Sequence, residues 1–581
     1  MSESGLESGN SVLIQVDGAH GLVRLSVTQA ALGGLSVGSF VEIDASEGFA
    51  IALVTALELQ TAASAIIAKV DLLGEVLHGR DGQVMFQRGV SHYPSVGRSV
   101  RPIAQERLAL IYDRADPDAI EVGTLALDSS VRAHVNVDEM LAKHFALLGA
   151  TGVGKSSGVA LILREVLRVR PAQRIFLLDP HNEYAPSFAD RGRVITPAGL
   201  RLPYWLFNFE EFVDAVFRAR PGVEDEVAIL GQAIVAAKNK HASERDAMRS
   251  SLRRAGSSDY GFTVDTPVPY RFTDLMKIID DEMGQLEKRS DVPIYQRLLT
   301  RLRSLSTDPR YGFMFQDATV GGDIMVEILD DLFNLTDASR PMTVMQLAGL
   351  PAEVVDSVVS VLARMAFELG LWSSGAVPLL LVCEEAHRYA PADRALGFGP
   401  TRKAISRIAK EGRKYGVSLG LVTQRPADLD PTIISQCSTL FAMRMANDRD
   451  QAIVRAAVSD AAEAMIAFVP ALGTREVFAF GEAVPLPTRI RFGILPDAYL
   501  PKPGSGDLPI VRGQVKRSDL QMIIDRWRRA GASRITQTSM SSPNAVEPND
   551  QPEVPVFDEE EAMPAEFSAL KSTLLGRRQY P

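Results

Sequence analysis

An eight-residue motif constrains this chain more than any other feature. Gly149 to Ser156 read GATGVGKS, match the pattern GxxxxGK[ST] and follow the apolar run His144 to Leu148. Glycines let backbone N–H groups turn inward around phosphate oxygens, and a helix that begins near Gly154 adds its positive end. A chance match in a glycine-rich turn is disfavoured because an apolar-periodic helix follows. The motif therefore predicts a phosphate site in an α/β domain.

Each residue type in this motif has an expected part. Lys155 would neutralise the β and γ phosphates of a nucleotide, and the Ser156 hydroxyl would ligate Mg²⁺. We expect ATP and Mg²⁺ as the cofactors. The residues expected to contact them are Gly149, Thr151, Gly152, Val153, Gly154, Lys155, Ser156 and Ser157.

Two adjacent acids follow a second apolar run, Leu379 to Cys383. We expect that strand to lie beside the strand of the phosphate motif, where Glu384 can hold Mg²⁺ through its water shell and Glu385 can polarise the attacking water. The alternative is a solvated acidic helix cap. The position directly after five apolar residues favours the catalytic interpretation.

Three further polar residues are weaker candidates. Asp179 ends an apolar run, where it could support the metal or the water, or only form the turn before Pro180. Glu183, four residues further on, is weaker still. Gln424 follows the apolar strand Leu419 to Val422, so its amide could reach a γ-phosphate or its attacking water.

A cationic segment runs from Arg407 to Gly416 and reads RIAKEGRKYG. Cations at the end of a helix are stabilised by its dipole, which is the simple explanation. The functional alternative is that one of them is an arginine finger given to a neighbouring subunit, an effect worth ~10³ to 10⁵ in rate. Spacing alone leaves both open.

The periodicity of apolar residues changes along the chain. Residues 1–130 carry about six short alternating runs, which suggest a small N-terminal β-barrel. Strand and helix patterns alternate over 131–202 and 309–500, which predicts an α/β domain with a largely parallel sheet. Its last strands, at 475–480 and 487–494, look like an edge hairpin.

The other segments lack strand patterns. Residues 203–308 contain amphipathic helical runs and predict a helical insertion in the α/β domain. An extension at 501–534 includes a basic helix at 518–529. The tail at 535–581 is rich in Ser, Pro and acid, and is expected to be disordered.

Six motifs in this order resemble the HerA family of the HerA/FtsK ATPases. They are HFALLGATGVGKS from His144, LDPHNEY from Leu178, RYGFMF from Arg310, EEAHRY from Glu384, EGRKYG from Glu411 and VTQRP from Val422. The resemblance spans roughly Ser11 to Pro501. It implies a RecA-like P-loop NTPase domain that follows, in sequence, an N-terminal barrel related to that of rotary ATP synthases.

The resemblance also implies a function. It implies a hexameric ring that pumps double-stranded DNA through its channel by ATP hydrolysis, in DNA-end processing or anti-phage defence. A nuclease (NurA-like), a sirtuin-like protein or another effector would dock on the barrel face. Arg413 becomes the expected trans finger, with Arg407 as runner-up. Glu384 stands where related motors often have Asp.

Two other functions stay open. A regulatory ATPase ring could assemble and gate a partner effector with little net DNA movement, because it needs the same Lys155, Glu385 and finger. A rotary-type ATPase would fit the barrel and the phosphate motif but gives no reason for the EEAH and TQRP segments.

Candidate DNA contacts are basic side chains, because a motor that ignores base sequence grips phosphates. The first group is Lys238, Lys240, His241, Arg245, Arg249, Arg253 and Arg254, and the second is Arg297, Arg301, Arg303 and Arg310. A solvated helix face explains the first group equally well, and subunit packing the second. We expect sequence-independent duplex binding that weakens with salt.

The net charge of −10 by itself argues weakly against nucleic-acid binding. Eight acids and no Lys or Arg lie between Ile535 and Glu566, and without them the charge of −10 becomes −2. The acidity therefore belongs mainly to the tail, which could compete with DNA or mark a partner site.

Compartment and redox state follow from absences in the sequence. No apolar run approaches the ~18 residues of a membrane span, and Met1 to Asn10 lacks the regions of a signal peptide. We expect a cytoplasmic protein with no membrane partner. Cys383 and Cys437 are expected to be reduced core thiols.

Overall fold

The computed structural model describes most of the chain up to residue 502. The described residues are 11–25, 35–60, 65–78, 84–112, 116–218, 220–249, 260–287, 289–315, 323–458, 460–502, 521 and 524. Gln521 and Ile524 are helical, as predicted for 518–529. The rest of that basic helix and the acidic tail at 535–581 lie outside the described residues.

The N-terminal part forms a seven-stranded antiparallel sheet in the order β1-β2-β5-β4-β3-β7, with β6 on β5. The strands are β1 (Val12–Asp17), β2 (His20–Leu25), β3 (Phe40–Ala45), β4 (Gly48–Gln60), β5 (Ala65–His78), β6 (Val84–Arg88) and β7 (Val100–Pro102). Ser99, next to β7, forms a bridge with Val12 of β1. The predicted strands are present.

A close approach inside this sheet requires a glycine. A Cβ at Gly74 of β5 would lie 2.7 Å from the Phe86 ring and 2.8 Å from the Gln87 carbonyl oxygen of β6. The glycine therefore lets the short strand β6 pack against the long one. Leu13, Ile43 and other apolar side chains of the sheet form a separate buried cluster.

The second sheet has eleven strands in the order β12-β13-β11-β14-β15-β10-β16-β17-β18-β8-β9. They are β8 (Ala119–Leu125), β9 (Arg132–Asn136), β10 (Phe145–Leu148), β11 (Arg174–Asp179), β12 (Gly192–Ile195), β13 (Met342–Gln346), β14 (Leu379–Glu384), β15 (Val417–Thr423), β16 (Thr439–Met443), β17 (Glu476–Gly481) and β18 (Thr488–Phe492). The strands from β12 to β16 are parallel, and the pairs beyond are antiparallel. The fold is mixed α/β with a large parallel sheet, as expected.

Two expectations about this sheet need correction. The β17–β18 hairpin is not at the edge, because β18 pairs with β8 and β9 extends the sheet further. The large sheet also takes up Ala119–Leu125, inside the segment 1–130 that the sequence assigned to the barrel. Alternating apolar residues look the same in either sheet, so periodicity could not locate this boundary.

Helices cover the large sheet and fill the insertion. They are α1 (Gln105–Tyr112), α2 (Val137–Ala142), α3 (Lys155–Val169), α4 (Phe209–Phe217), α5 (Glu224–Arg249), α6 (Phe272–Gly284), α7 (Val292–Thr307), α8 (Gly312–Phe315), α9 (Met325–Phe333), α10 (Ala352–Trp372), α11 (Gly399–Glu411), α12 (Pro431–Ile434), α13 (Asp448–Ala457) and α14 (Asp460–Ile466). Among the described residues of 203–308, every regular element is a helix. The Asn208 side chain begins α4 with a capping box to Glu211.

Two smaller expectations can be compared with the described residues. Within them no helix is both long and apolar enough to cross a membrane. Cys383 and Cys437 are free and buried, and burial raises the pKa of each thiol to about 12. Their prediction as reduced core thiols is confirmed.

Candidate active site

The phosphate motif forms the turn between β10 and α3. Gly152 and Gly154 adopt left-handed backbone angles, with φ of +74° and +99°. A Cβ at Gly149 would lie 2.7 Å from the Met443 Cβ, so this position is also restricted to glycine. The loop is hydrogen-bonded on both sides, since the Gly149 N–H donates to the Thr423 carbonyl of β15 at 3.2 Å and the Ala150 N–H to the Arg444 carbonyl after β16 at 2.9 Å. Backbone amides are thus free to face an anion at the start of α3.

The motif's polar side chains make contacts with the loop itself and with the segment after β11. The Lys155 ammonium donates to the Ala150 carbonyl at 3.0 Å, and burial lowers its pKa while nearby carboxylates oppose that shift. The Ser156 hydroxyl donates to Glu183 at 3.1 Å. Of the other expected contacts, Val153 is buried, Ser157 is half-buried and Thr151 is exposed.

Glu384 is the last residue of β14 and is 4% exposed. Burial raises the pKa of its carboxyl to about 8, and the buried Tyr184 hydroxyl donates to it at 2.7 Å. The sequence placed this strand beside the phosphate-loop strand, which is wrong, because β15 lies between β14 and β10. Local patterns do not encode the order of parallel strands, since crossovers can pass over a neighbour.

Glu385 occupies the first position beyond β14 and has a left-handed backbone with φ of +53°. Its Oε2 atom is buried and accepts no hydrogen bond within the described residues, although the His387 Nδ1 atom is 3.2 Å away. The His181 Nε2 atom lies 3.8 Å from its other oxygen. A buried carboxylate with an open acceptor position is suited to receive a proton from water.

The intervening strand β15 brings one more predicted residue to this edge. Its last residue, Thr423, has its hydroxyl 2.9 Å from the His387 Nδ1 atom. Gln424 follows directly and is half-buried. The His387 Nδ1 atom therefore lies close to both the Glu385 carboxylate and the Thr423 hydroxyl, one residue before Gln424.

The sequence favoured Asp179 over Glu183 as a site residue, but in the structure it is Glu183 that contacts the phosphate loop. Asp179 is fully buried, and its oxygens accept from the backbone N–H groups of His181, Glu183 and Tyr184 at 3.3, 3.1 and 2.9 Å. This is the turn-forming alternative. The weaker candidate, Glu183, is the acid that contacts Ser156 of the phosphate loop.

The cationic segment lies at the opposite edge of the sheet. Gly412–Tyr415 form a short 3-10 turn just before β15 begins. Because β15 extends ~3.3 Å per residue over its length, Arg413 and the phosphate loop of the same chain are separated by about 20 Å. Arg413 is exposed and makes no ion pair within the described residues. Arg407 instead lies 4.2 Å above the Phe367 ring.

The first group of predicted DNA contacts is largely engaged within the insertion. Lys238 is 2% exposed and donates to three backbone carbonyls, at 2.7 Å for Val264 and Thr266 and 3.3 Å for Thr263. Lys240 pairs with Asp274. The prediction of an exposed basic face is therefore wrong at its centre. The Arg249 side chain, Arg253 and Arg254 lie outside the described residues.

The second group serves packing within the chain. Arg297 pairs with Glu226 at 2.9 Å, Arg301 lies 5.0 Å above the Phe217 ring, and Arg310 pairs with Asp308 and Glu353. Of the residues in the two groups whose side chains are described, Arg245, Arg297, Arg303 and Arg310 are exposed, and of these Arg297 and Arg310 are held in ion pairs.

Three residues near the site escaped sequence reasoning. Tyr184 and His387 stand inside recognised motifs, yet only the structure gives them contacts with Glu384 and Glu385. Arg475 has a left-handed φ of +64°, and its N–H donates to the Val153 carbonyl at 2.9 Å. No local signal could have found it, because more than 300 residues separate it from the loop.

The donor set fits a nucleotide with Mg²⁺. The glycine turn leaves room for phosphate, and Ser156 and Glu384 offer the oxygen ligands that Mg²⁺ prefers. Within the described part of the chain no three His, Cys, Asp or Glu side chains cluster as a metal cage.

Comparison with known proteins shows a similarity to helicases. A model described as the central domain of the helicase HerA matches residues 120–366. The DNA double-strand break repair helicase HerA of Pyrococcus furiosus is 25% identical over 426 residues, which cover 68% of this chain and 72% of that protein. The protein of the same name from Sulfurisphaera tokodaii is 28% identical over 410 residues, or 68% and 73% of the two chains.

Solved structures give lower similarity. VirB4 of Thermoanaerobacter pseudethanolicus aligns with a TM-score of 0.45 and 16% identity over 66% of this chain and 98% of that one. The bacterial conjugative coupling protein TrwB aligns with a TM-score of 0.43 and 14% identity over 69% and 93%.

The matched range begins in β8 and contains the whole phosphate loop. The archaeal relatives are similar over lengths that also exceed this range. Together with the phosphate loop and the buried acids at one sheet edge, these matches show that the chain is similar to HerA helicases over about two thirds of its length, and they support an ATP-hydrolysing enzyme.

Proposed function

We propose that the chain is a motor that moves along double-stranded DNA as a ring of six copies. The coupling of ATP hydrolysis to movement is supported by relatives whose name is DNA double-strand break repair helicase. The observation that carries the ring is the position of Arg413, which is exposed and lies at the other end of β15 from the nucleotide site of its own chain. Such a cation can complete a site only in a neighbouring copy.

At the site we assign the following roles. Lys155 binds the β and γ phosphates, and Ser156 and Glu384 would hold Mg²⁺. The metal, when bound, neutralises charge on the phosphate oxygens. Glu385 orients the attacking water and takes its proton, for which its open acceptor atom is available. The Gln424 amide reaches toward the same water or the γ-phosphate.

The trans finger completes the chemistry. We assign it to Arg413 rather than Arg407, because the Arg407 guanidinium is held over Phe367 and near Glu411. An exposed guanidinium at a subunit boundary can stabilise the charge that develops on the γ-phosphate. This assignment makes hydrolysis depend on contact between neighbours.

The N-terminal sheet has a proposed role of its own. We propose that its strands close into a barrel, which the Val12–Ser99 bridge between the first and last strands supports. A nuclease or another effector would dock there. Large apolar side chains exposed on this part of the chain support that proposal, including Leu59, Met85 and Tyr93.

We further propose the domain division 1–118, 119–202 with 309–500, and 203–308. It follows from the two sheets and from the helices between Phe209 and Thr307. Exposed cations such as Arg245 and Arg303 remain available for phosphate contacts.

A triplex-displacement assay tests the motor directly. The purified full chain should strip a third strand from a duplex only when ATP is hydrolysed, and Glu385→Gln should bind ATP without displacing it. ATP turnover without strand displacement would contradict translocation and would favour a ring that gates a partner effector.

A further inference from the structure

A buried histidine lies at the base of the phosphate-loop strand, where no nucleotide can reach it. His144 directly precedes β10, is 2% exposed and has a left-handed backbone with φ of +124°. Such a conformation is unfavourable for a non-glycine residue and persists only where the surroundings enforce it. His144 is therefore held in place by specific contacts.

Both ring nitrogens of His144 are engaged. The Leu419 N–H of β15 donates to Nδ1 at 3.0 Å, so Nδ1 carries no proton. The proton is then on Nε2, which donates to the Ala409 carbonyl near the end of α11 at 3.0 Å. Burial lowers the pKa of the ring, in agreement with this neutral form. One side chain thus joins β10, β15 and α11.

The helix end that His144 holds leads directly to Arg413. The last carbonyls of a helix lack partners within the helix, and a side-chain donor there fixes the final turn. The turn after α11, Gly412–Tyr415, is closely packed against β15, because a Cβ at Gly412 would lie 2.4 Å from the Val417 carbonyl oxygen. The Tyr415 ring meets the Phe367 ring edge-on at 5.6 Å.

We propose that His144 is a positioning residue for Arg413, and that its Nε2 bond to Ala409 sets the place of the finger that the chain gives to its neighbour. The inference rests on the proposed trans role of Arg413. His144 acts from the base of the strand that carries the phosphate loop, so the finger is fixed relative to the chain's own nucleotide site. A defect at His144 should then appear in the neighbour's hydrolysis.

Two amide variants separate the two hydrogen bonds. In His144→Gln the amide nitrogen replaces Nε2, and in His144→Asn the amide oxygen replaces Nδ1. Because a finger displaced by ~1 Å costs on the order of 10²-fold, His144→Asn should lower kcat about 10- to 100-fold, whereas His144→Gln should retain most of it. ATP affinity should be unchanged in both. His134→Asn, on the edge strand β9, is the matched control and should keep wild-type turnover.

Mixed rings show whose site is affected. Glu385→Gln protomers cannot hydrolyse ATP but carry an intact finger, so they should restore turnover to Arg413→Ala protomers and equally to His144→Asn protomers. Tyr415→Leu, which loosens the same turn from outside the core, should behave like His144→Asn.

Each outcome has a definite meaning. Rescue of Arg413→Ala without rescue of His144→Asn overturns the role of His144, as does an equal loss in His144→Gln. Failure to rescue Arg413→Ala overturns the trans finger itself, and the inference with it.

Discussion

The two edges of the parallel sheet differ in whether their polar side chains have partners. At the carboxyl edge, Lys155, Glu384 and Glu385 are buried close together, and one Glu385 oxygen has no hydrogen bond within the described residues. At the amino edge, both His144 nitrogens are bonded and Arg407 is packed on a ring. Burying unpaired charge costs stability, so it marks the edge where ligands complete the structure. Arg413 departs from this pattern at the amino edge, because its side chain is exposed, like those of Lys410 and Lys414.

If Arg413 acts on the nucleotide of a neighbouring subunit, Arg413→Ala should lower ATPase turnover more than any other substitution proposed here. Turnover should fall by ~10³ to 10⁵ because the transition-state charge loses its guanidinium. Arg407→Ala, on the same edge, is the control and should lose far less. Measured ATPase rates of rings that mix Arg413→Ala with wild type should drop more steeply than dilution predicts. A strictly proportional loss would place the residue's action within its own subunit.

Glu385→Gln tests the open acceptor at the carboxyl edge. The amide keeps the shape but cannot take a proton, so turnover should fall by ~10² to 10⁴ while ATP binding persists. Single-turnover hydrolysis and binding of a fluorescent nucleotide separate the two quantities. Glu353→Gln, a half-exposed acid near Arg310, should leave both unchanged. Appreciable hydrolysis in Glu385→Gln would assign the base to another group.

Tyr184→Phe tests whether the Tyr184 hydroxyl supports Glu384 as a metal ligand at the carboxyl edge. Removal of the hydroxyl that donates to Glu384 should raise the Mg²⁺ concentration for half-maximal ATPase by about 10-fold, since partners of metal ligands typically contribute that much. Tyr389→Phe is a close control, because the Tyr389 hydroxyl is buried without a hydrogen bond in the described structure. Equal Mg²⁺ curves for the two variants would remove Tyr184 from the site.

Lys238→Met should show the smallest effect and concerns stability alone. Three carbonyls lose their donor, so unfolding should become easier by about 1–3 kcal/mol, with little change in duplex affinity. Lys240→Met, at a half-buried ion pair with Asp274, should change stability by less, about 1 kcal/mol. A large loss of DNA binding in Lys238→Met would restore it as a DNA contact.

The same lysine predicts a pH dependence. Burial lowers its pKa to about 8, below its usual value near 10.5, so the unfolded chain binds the proton more tightly than the folded chain. The stability of the wild type relative to Lys238→Met should therefore rise between pH 8 and about pH 10.5. Melting temperatures of both proteins across that range measure the difference. A constant difference would mean that Lys238 does not titrate there.

Local patterns predicted what depends on neighbours in sequence. The phosphate loop, Glu384 and Glu385 each follow directly from a strand and its end, and all lie at one edge. The placement of β15 between β14 and β10 depends on crossovers that no local pattern records. For the same reason the sequence could not tell which loop acid, Asp179 or Glu183, would face Ser156.

Lys238 shows a signal that was present but not used. It lies four residues after Ile234, whose side chain is buried, so both occupy the same face of α5. Grouping cations by sequence proximity ignored this helical phase. His144 gave no such signal, because its partners are about 265 and 275 residues away.

The strand β15 ends at Thr423 beside the phosphate loop and begins just after the turn that carries Arg413. A close-packed strand is nearly incompressible, so it transmits a shift at one end to the other almost undiminished. In the proposed ring, β15 would therefore couple the nucleotide site of each subunit mechanically to the nucleotide site of its neighbour. The direction of this one strand would then determine the order in which neighbouring subunits hydrolyse ATP.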